Sequence, residues 1–511
     1  AFVFSWDCED ASGQPCESAV IDYLGTTAAS LGFVTIPPRI LSLGVYIFSV
    51  EVTKLDRHDI ASVEITVVAG ENTPFVTITP VVTANGLVST NEKLVLHGQA
   101  TLPSNYGLQL LYRWESAQID LEAPGVTLST SRTPNLVLAP DQLQDGQKYV
   151  FQLSAGAAGG NEGFAQLEVE TNVPPCCGNF AAYPVQIRTM QETVTLANTG
   201  WWDVATDLPL KYRFFFFDPE SSLTRVPLTV SSTLISAEVH LPPSDLPITL
   251  QVEVSDLHGA TTLDHFNVTV RRPNAAGIVG GMEGLLLDVV QRQCADAIAG
   301  GHYSVVLQLA NAVGQLLNSE SALHAGGRRR RLGVEESLRA DVLEHLVAVS
   351  THTVPTIETA QMQAHALGRI SATPSELLPS ARLLIFALIE HIAYLSTASG
   401  DTDAIRSANA MLRAVSAVLE SSMLDAEFDD LPPGTPSKTV WSAALVALDL
   451  VFTGAVQSKV CGEQPTTMHS AAVTSVVARE CNAFGGSMAG QEYVVPIGVG
   501  GTAEGFNRVL V

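Results

Sequence analysis

Over roughly the first half of the chain, apolar and polar positions alternate with a period of two in short runs, and the runs themselves recur. An aromatic-bearing run appears at residues 2–6, 111–114 and 210–214, and its anchors Trp6, Trp114 and Phe214 stand 108 and 100 positions apart. A second alternating run follows at 46–52, 149–153 and 248–254, with Tyr46, Tyr149 and Ile248 spaced by 103 and 99. A third run closes each repeat at 63–68, 165–169 and 265–270, and Pro and Gly clusters separate the runs. Period-two alternation places every other side chain on one face of a strand, and Pro/Gly clusters supply turns. Strand-rich repeats of about one hundred residues, each with an inward aromatic on an early strand, predict tandem immunoglobulin- or fibronectin-III-like β-sandwiches. The aromatics are read as core packing, and the arrangement as a string of beads.

The period changes after Arg271-Arg272-Pro273, where Leu/Ala-rich spacing of three and four replaces alternation. It predicts helices at 282–299, 303–317, 335–350, 356–370, 374–396, 402–422 and 437–458. The stretch 376–398 has apolar residues around much of its circumference and is expected to pack on several sides. Alternation returns at 471–478 and 492–498. The expected domains are therefore sandwiches at 1–70 (with its N-terminal part missing), 71–172 and 173–273, a helical subdomain at 274–459, and the start of a β subdomain at 460–511.

Composition narrows the function classes. Of 511 residues 46% are apolar, enough for several cores, while 15% are charged against about 25% in an average domain. The surface must then be rich in Ser, Thr, Gly, Asn and Gln, as extracellular modules often are. A net charge of −25 disfavours nucleic acid and anionic membranes as direct partners, and is compatible with Ca²⁺ or a basic protein. The most apolar stretches, 381–395 and 441–456, are too short to span a bilayer and carry Arg382, Glu390, His391 and Asp449. No signal peptide is recognisable, so a leader and an anchor are expected outside this sequence.

Seven cysteines stand at 8, 16, 176, 177, 294, 461 and 481. Cys8 with Cys16, and Cys461 with Cys481, are spaced for short disulfide-closed loops, and the odd total leaves at least one thiol over. The sequon Asn267-Val268-Thr269 makes Asn267 a glycosylation candidate, on the outward face of the last strand of its repeat. Arg328, Arg329, Arg330 and Arg331 lie between two helical patterns and are a candidate for furin-like processing, the alternative being an ordinary basic loop. Two acidic clusters, Asp7/Glu9/Asp10 and Glu427/Asp429/Asp430, offer hard oxygens to Ca²⁺ but lack the spacing of a dedicated loop, and are read as solvated turns. No nucleophile elbow, Walker loop or His-Glu-x-x-His motif is present, no other cofactor is implied, and the reading is non-enzymatic.

One stretch resembles a known module. The run Cys177, Pro184, Thr193-Val194-Thr195-Leu196, Trp202-Asp203, Pro209-Leu210 and Tyr212-Arg213-Phe214 is similar to the receptor-for-egg-jelly (REJ) module of the polycystin-1 family. Trp6-Asp7-Cys8 with Gly13-Gln14-Pro15-Cys16 looks like a cysteine pair of the same region. The resemblance implies an order of parts in which REJ modules precede a helical subdomain and then a β subdomain of a GAIN domain. It implies the ectodomain of a polycystin-1-like protein on a ciliary or plasma membrane, a stalk or anchor partnered by a polycystin-2-like channel or by extracellular ciliary surface proteins. Leu- and Ala-rich helices favouring Arg add the expectation of a flagellar setting. The alternative is an adhesion-receptor-like ectodomain signalling through GAIN autoproteolysis. The sequence departs from the family pattern at Ala197, where a cysteine is usual, and at Met468-His469-Ser470, which lacks the Leu of the cleavage tripeptide.

Overall fold

The computed structural model describes residues 3–494 except 26–33, 35, 37–39, 55–56, 68–72, 80–85, 103–108, 158–160, 219–224, 325–331, 354–355, 398–401, 426–437, 458, 471–473 and 482–486; of residues 471–494 only the backbone is described. The chain separates into two compact units, the first formed mainly by residues 1–75 and the second by most of the remainder.

The first unit is built on one antiparallel sheet, β1 (Val3–Asp10), β2 (Gly44–Lys54) and β3 (Arg57–Val67), in that order, with a short helix α1 (Ser18–Tyr23). Its core gathers Cys8, Cys16, Val20, Leu24, Tyr46 and Phe48, with Trp6 packed at the margin. Expected to be a sandwich over 1–70, it shows a single sheet among the described residues. The chain between β1 and β2 is spent on the Cys8–Cys16 turn and α1 rather than on strands, and β3 is exposed along most of its length.

The second sandwich comprises β4 (Phe75–Thr79), β5 (Leu87–Val88), β6 (Leu94–Thr101), β7 (Leu110–Ser116), β8 (Asn135–Leu138), β9 (Lys148–Ala157) and β10 (Glu162–Thr171). One sheet runs β4-β6-β8 and the other β5-β10-β9-β7. Trp114 is almost wholly buried, and its indole N–H donates to the carbonyls of Thr133 and Pro134 at 3.0 and 3.2 Å. Gly98 makes room for it: a Cβ there would sit 2.2 Å from Leu153 Cδ2 and 2.4 Å from the Pro134 carbonyl.

The third sandwich comprises β11 (Asn179–Tyr183), β12 (Gln186–Arg188), β13 (Val194–Thr199), β14 (Lys211–Phe217), β15 (Arg225–Pro227), β16 (Ser236–Val239), β17 (Ile248–Ser255) and β18 (Thr261–Arg271). Sheets β11-β13-β16 and β12-β18-β17-β14-β15 enclose Phe180, Leu196, Phe214, Phe216, Leu250 and Val252. Each such side chain contributes about 1.5–3 kcal/mol through burial. The three recurring runs of the sequence are thus neighbouring strands of one sheet in every repeat: β1-β2-β3, β7-β9-β10 and β14-β17-β18.

Helices follow: α2 (Gly281–Asp288), a π-helical turn at Val289–Gln293, α3 (Cys294–Ala299), α4 (Tyr303–His324), α5 (Leu332–His352), α6 (Ile357–Ile370), α7 (Pro379–Thr397), α8 (Thr402–Asp425) and α9 (Lys438–Gln457). The all-round buried helix is α6 rather than the stretch at 376–398. Twelve residues from Glu358 to Ile370 on α6 are buried, whereas α7 leaves a stripe through Leu383, Glu390 and Tyr394 in solvent. A reciprocal cap between Thr356 and Thr359 starts α6, satisfying two N-terminal donors that would otherwise be orphaned. Beyond α9 come β19 (Thr466–His469), β20 (Thr474–Cys481) and β21 (Ser487–Val494), an antiparallel sheet in that order. No helix of the described residues is long and apolar enough to cross a membrane.

Candidate functional site

The expected string of beads does not describe residues 76–470. Buried polar contacts join the second sandwich, the third sandwich and the helices into a closed ring, and several of the joints carry buried charge.

The first joint sets the third sandwich on the helical bundle. Gln308 of α4 acts as a surrogate strand residue, donating to the Leu228 carbonyl at 2.7 Å and accepting from the His240 N–H at 2.8 Å. Arg213 of β14 donates to Glu253 of β17 and to Glu358 of α6, the latter at 3.1 Å. Asp218, at the end of β14, accepts from the Arg369 guanidinium of α6 in a contact where both side chains are under a tenth exposed. The Phe216 ring meets His365 edge-on at 6.1 Å. Burial pushes the His365 imidazole well below its ordinary pKa, and Arg369 and Arg413 add to the shift. His240 is lowered for the same first reason.

The second joint returns the chain after α9 to the second sandwich. Glu463 binds Lys93 at 3.2 Å across 370 residues, Asn135 donates to Cys461 Sγ at 2.8 Å, and the Gln464 N–H donates to the Leu128 carbonyl at 2.7 Å. Gly462 has φ 85°, a left-handed conformation suited to glycine, and a Cβ added there would sit 3.2 Å from Thr133 Cγ2. The third joint links the two sandwiches: Asn172 donates to Asp256 at 2.6 Å, Asn91 accepts from the Thr261 N–H at 2.9 Å, and Thr262 donates to the Pro175 carbonyl.

Beside that third joint lie Asp203, Asp207 and Asp256, with carboxylate oxygens within 4.8 Å of one another. Sequence reasoning missed this cluster, because Asp203 and Asp207 follow β13 while Asp256 follows β17, and no spacing rule connects them. The Trp202-Asp203 pair lies within the REJ-like run, and only the fold brings it near Asp256.

The residues singled out in the sequence fall elsewhere. Cys8 and Cys16 form a disulfide, and Cys461 is disulfide-bonded, while the side chain of Cys481 lies outside the described residues. Cys176 and Cys177 are bonded to each other, next to Gly178, whose missing Cβ admits the Trp201 ring. Cys294 is a free thiol buried among the helices, and burial pushes its pKa up to about 12, which leaves it unreactive. Asn267 is exposed on β18, accepting from Thr249 at 2.9 Å. Asp10 holds a turn, accepting from the Ser12 hydroxyl and the N–H groups of Ser12 and Gln14, which lowers its pKa. Arg328, Arg329, Arg330 and Arg331, and the cluster Glu427/Asp429/Asp430, lie outside the described residues.

Human polycystin-1 is 25% identical over 504 residues, covering 91% of this chain but only 11% of its own length. Among solved structures, the chicken CNTN1 FN1–FN3 domains are 13% identical, covering 52% of this chain and 91% of theirs with a TM-score of 0.23. Murine CEACAM1b is 13% identical, covering 38% and 100% with a TM-score of 0.17. The fold assignment rests on strand order and not on these superpositions. The profile of the REJ domain matches residues 1–296, more than half of the sequence, and the chain belongs to the REJ-domain family.

Proposed function

We propose that this chain is an extracellular structural and interaction segment of a polycystin-1-like membrane protein. In this reading it acts as a stalk or anchor that couples a surface ligand or extracellular structure to a partner channel on a ciliary or flagellar membrane. The observation that carries the reading is the ring of buried polar joints. A load applied at the third sandwich meets Arg213–Glu358 and Asp218–Arg369 before it reaches the helices, so the block moves as one body. Its shared family with a stretch of polycystin-1 supplies the membrane context.

Cross-linking mass spectrometry of the protein on its native surface tests this. Links from α4–α9 to a membrane channel support the anchor. Links only within the chain, on protein recovered wholly from the soluble fraction, refute it. A second reading, signalling through GAIN autoproteolysis, is favoured by the antiparallel sheet β19–β21 following the helices and packing on α9. It requires the full-length protein to run as two fragments under denaturing conditions, and a single band rejects it.

A further inference from the structure

Asp203, Asp207 and Asp256 are 7%, 6% and 3% exposed, and their partners do not balance their charge. Asp256 is engaged on both oxygens: Oδ1 accepts from the His258 and Ala260 N–H groups at 2.8 and 3.0 Å, and Oδ2 accepts from Asn172 at 2.6 Å. Asp207 Oδ1 accepts from the Thr206 hydroxyl at 2.6 Å and faces His258 Nε2 at 3.8 Å. Asp203 Oδ1 accepts from the Val204 N–H at 2.8 Å, whereas its Oδ2 is buried with no hydrogen-bond partner at all. No Lys or Arg of the described residues forms an ion pair with any of the three. Three buried carboxylates against one imidazole, with an orphaned oxygen among them, is an arrangement a folded protein tolerates when a cation completes it.

We propose that Asp203, Asp207 and Asp256 form a Ca²⁺ site beside the junction of the second and third sandwiches. The donor set is all oxygen, which suits a hard cation rather than zinc or copper. Ca²⁺ holds its oxygens at about 2.3–2.6 Å, so ligands on opposite sides of the ion stand up to about 5 Å apart. The oxygens of the cluster lie within 4.8 Å of one another, close enough to share one such ion, and Ca²⁺ accepts irregular geometry that octahedral Mg²⁺ does not. Because Asn172 donates to Asp256, occupancy also fixes the segment that leaves the second sandwich. The site stands whether or not the anchor reading holds.

The test uses the full 511-residue chain stripped with EDTA. Calorimetric titration with CaCl₂ should give binding with Kd in the range of about 10⁻⁵–10⁻³ M, typical of extracellular sites and weaker sensors. Tb³⁺ should show emission on tryptophan excitation, quenched by Ca²⁺ but not by equal Mg²⁺. At ten times Kd, free Ca²⁺ should shift the folded-to-unfolded ratio about tenfold. Asp203→Asn and Asp256→Asn should each lose the Tb³⁺ signal and the Ca²⁺ shift, while Asp203→Asn in EDTA should be at least as stable as the parent. Asp207→Asn serves if either variant fails to fold. No binding up to about 10 mM, well above weak extracellular affinities, overturns the site. So does Ca²⁺ binding that survives in every aspartate variant, because the ion then sits elsewhere.

Discussion

Replacing Asp218 by Asn keeps the shape of the residue and removes the charge that faces Arg369. The Asp218 side chain is 3% exposed and that of Arg369 8%, so solvent screens neither. The guanidinium left behind would face His365, whose neutral state already reflects the nearby charges of Arg369 and Arg413. Stranding one member of a buried pair costs about 3–5 kcal/mol. At about 1.4 kcal/mol per decade, that raises the opening constant of the joint by two to four decades. Hydrogen-exchange mass spectrometry on the whole protein reads this directly, in peptides covering α6 and β14–β15. Asp218→Asn should exchange faster in both together, because the pair spans both. Replacing the partner too, with Arg369→Met beside Asp218→Asn, should restore part of the protection, since the guanidinium that lost its carboxylate is then gone as well. If Asp218→Asn changes exchange in α6 by less than about threefold, the joint is not held by this pair and the account of a welded block is wrong.

Other predictions follow from the same reasoning. His365 has a folded pKa below the unfolded value of about 6.5, so its contribution to stability is complete above that pH and is lost as pH falls through it, at up to about 1.4 kcal/mol per unit. Urea midpoints between about pH 7.5 and 5.5 should therefore fall, and His365→Asn should flatten the slope; an unchanged slope would count against a buried neutral imidazole. Arg339 is wholly buried with Glu376 at 2.8 Å, the Ile370 carbonyl at 2.6 Å and Asn318 at 3.0 Å, so Glu376→Gln should cost about 3 kcal/mol in urea unfolding of the helical part. Gly98→Ala should cost about 1–3 kcal/mol through overpacking and shift Trp114 fluorescence, because the Pro134 carbonyl that accepts from its indole must move; an unaltered emission spectrum would show that it does not.

The elements were legible because each rests on local rules. Period-two alternation at 46–52, 149–153 and 248–254 found β2, β9 and β17, and the spacing of apolar residues found α4 to α9 to within a few residues at most ends. The buried character of α6 escaped for a physical reason. Glu358, Gln361, Gln363, His365 and Arg369 break its apolar pattern, so it reads as half-solvated, yet all five are buried, and Glu358, His365 and Arg369 meet the third sandwich. The stretch at 376–398 failed in the opposite sense: it is apolar enough to be buried all round, but α7 turns Leu383 and Tyr394 to solvent.

Compactness was the property least available from sequence. A period of about one hundred residues says that units repeat; it does not say whether successive units touch. Contact was decided by single polar residues at places with no periodicity: Gln308 imitating a strand edge, Asn172 and Asn91 at a linker, Glu463 reaching Lys93 from 370 positions away. Closing so long a loop costs only slightly more than closing a short one, because the entropy penalty grows with the logarithm of length. A few buried bonds can therefore hold it once the helices have brought the ends together. Residues of this kind look like ordinary surface Asn, Gln and Glu in a linear reading. Their distinguishing feature is burial with a satisfied partner, and Asp203 Oδ2, buried without one, is the oxygen that the proposed Ca²⁺ would complete.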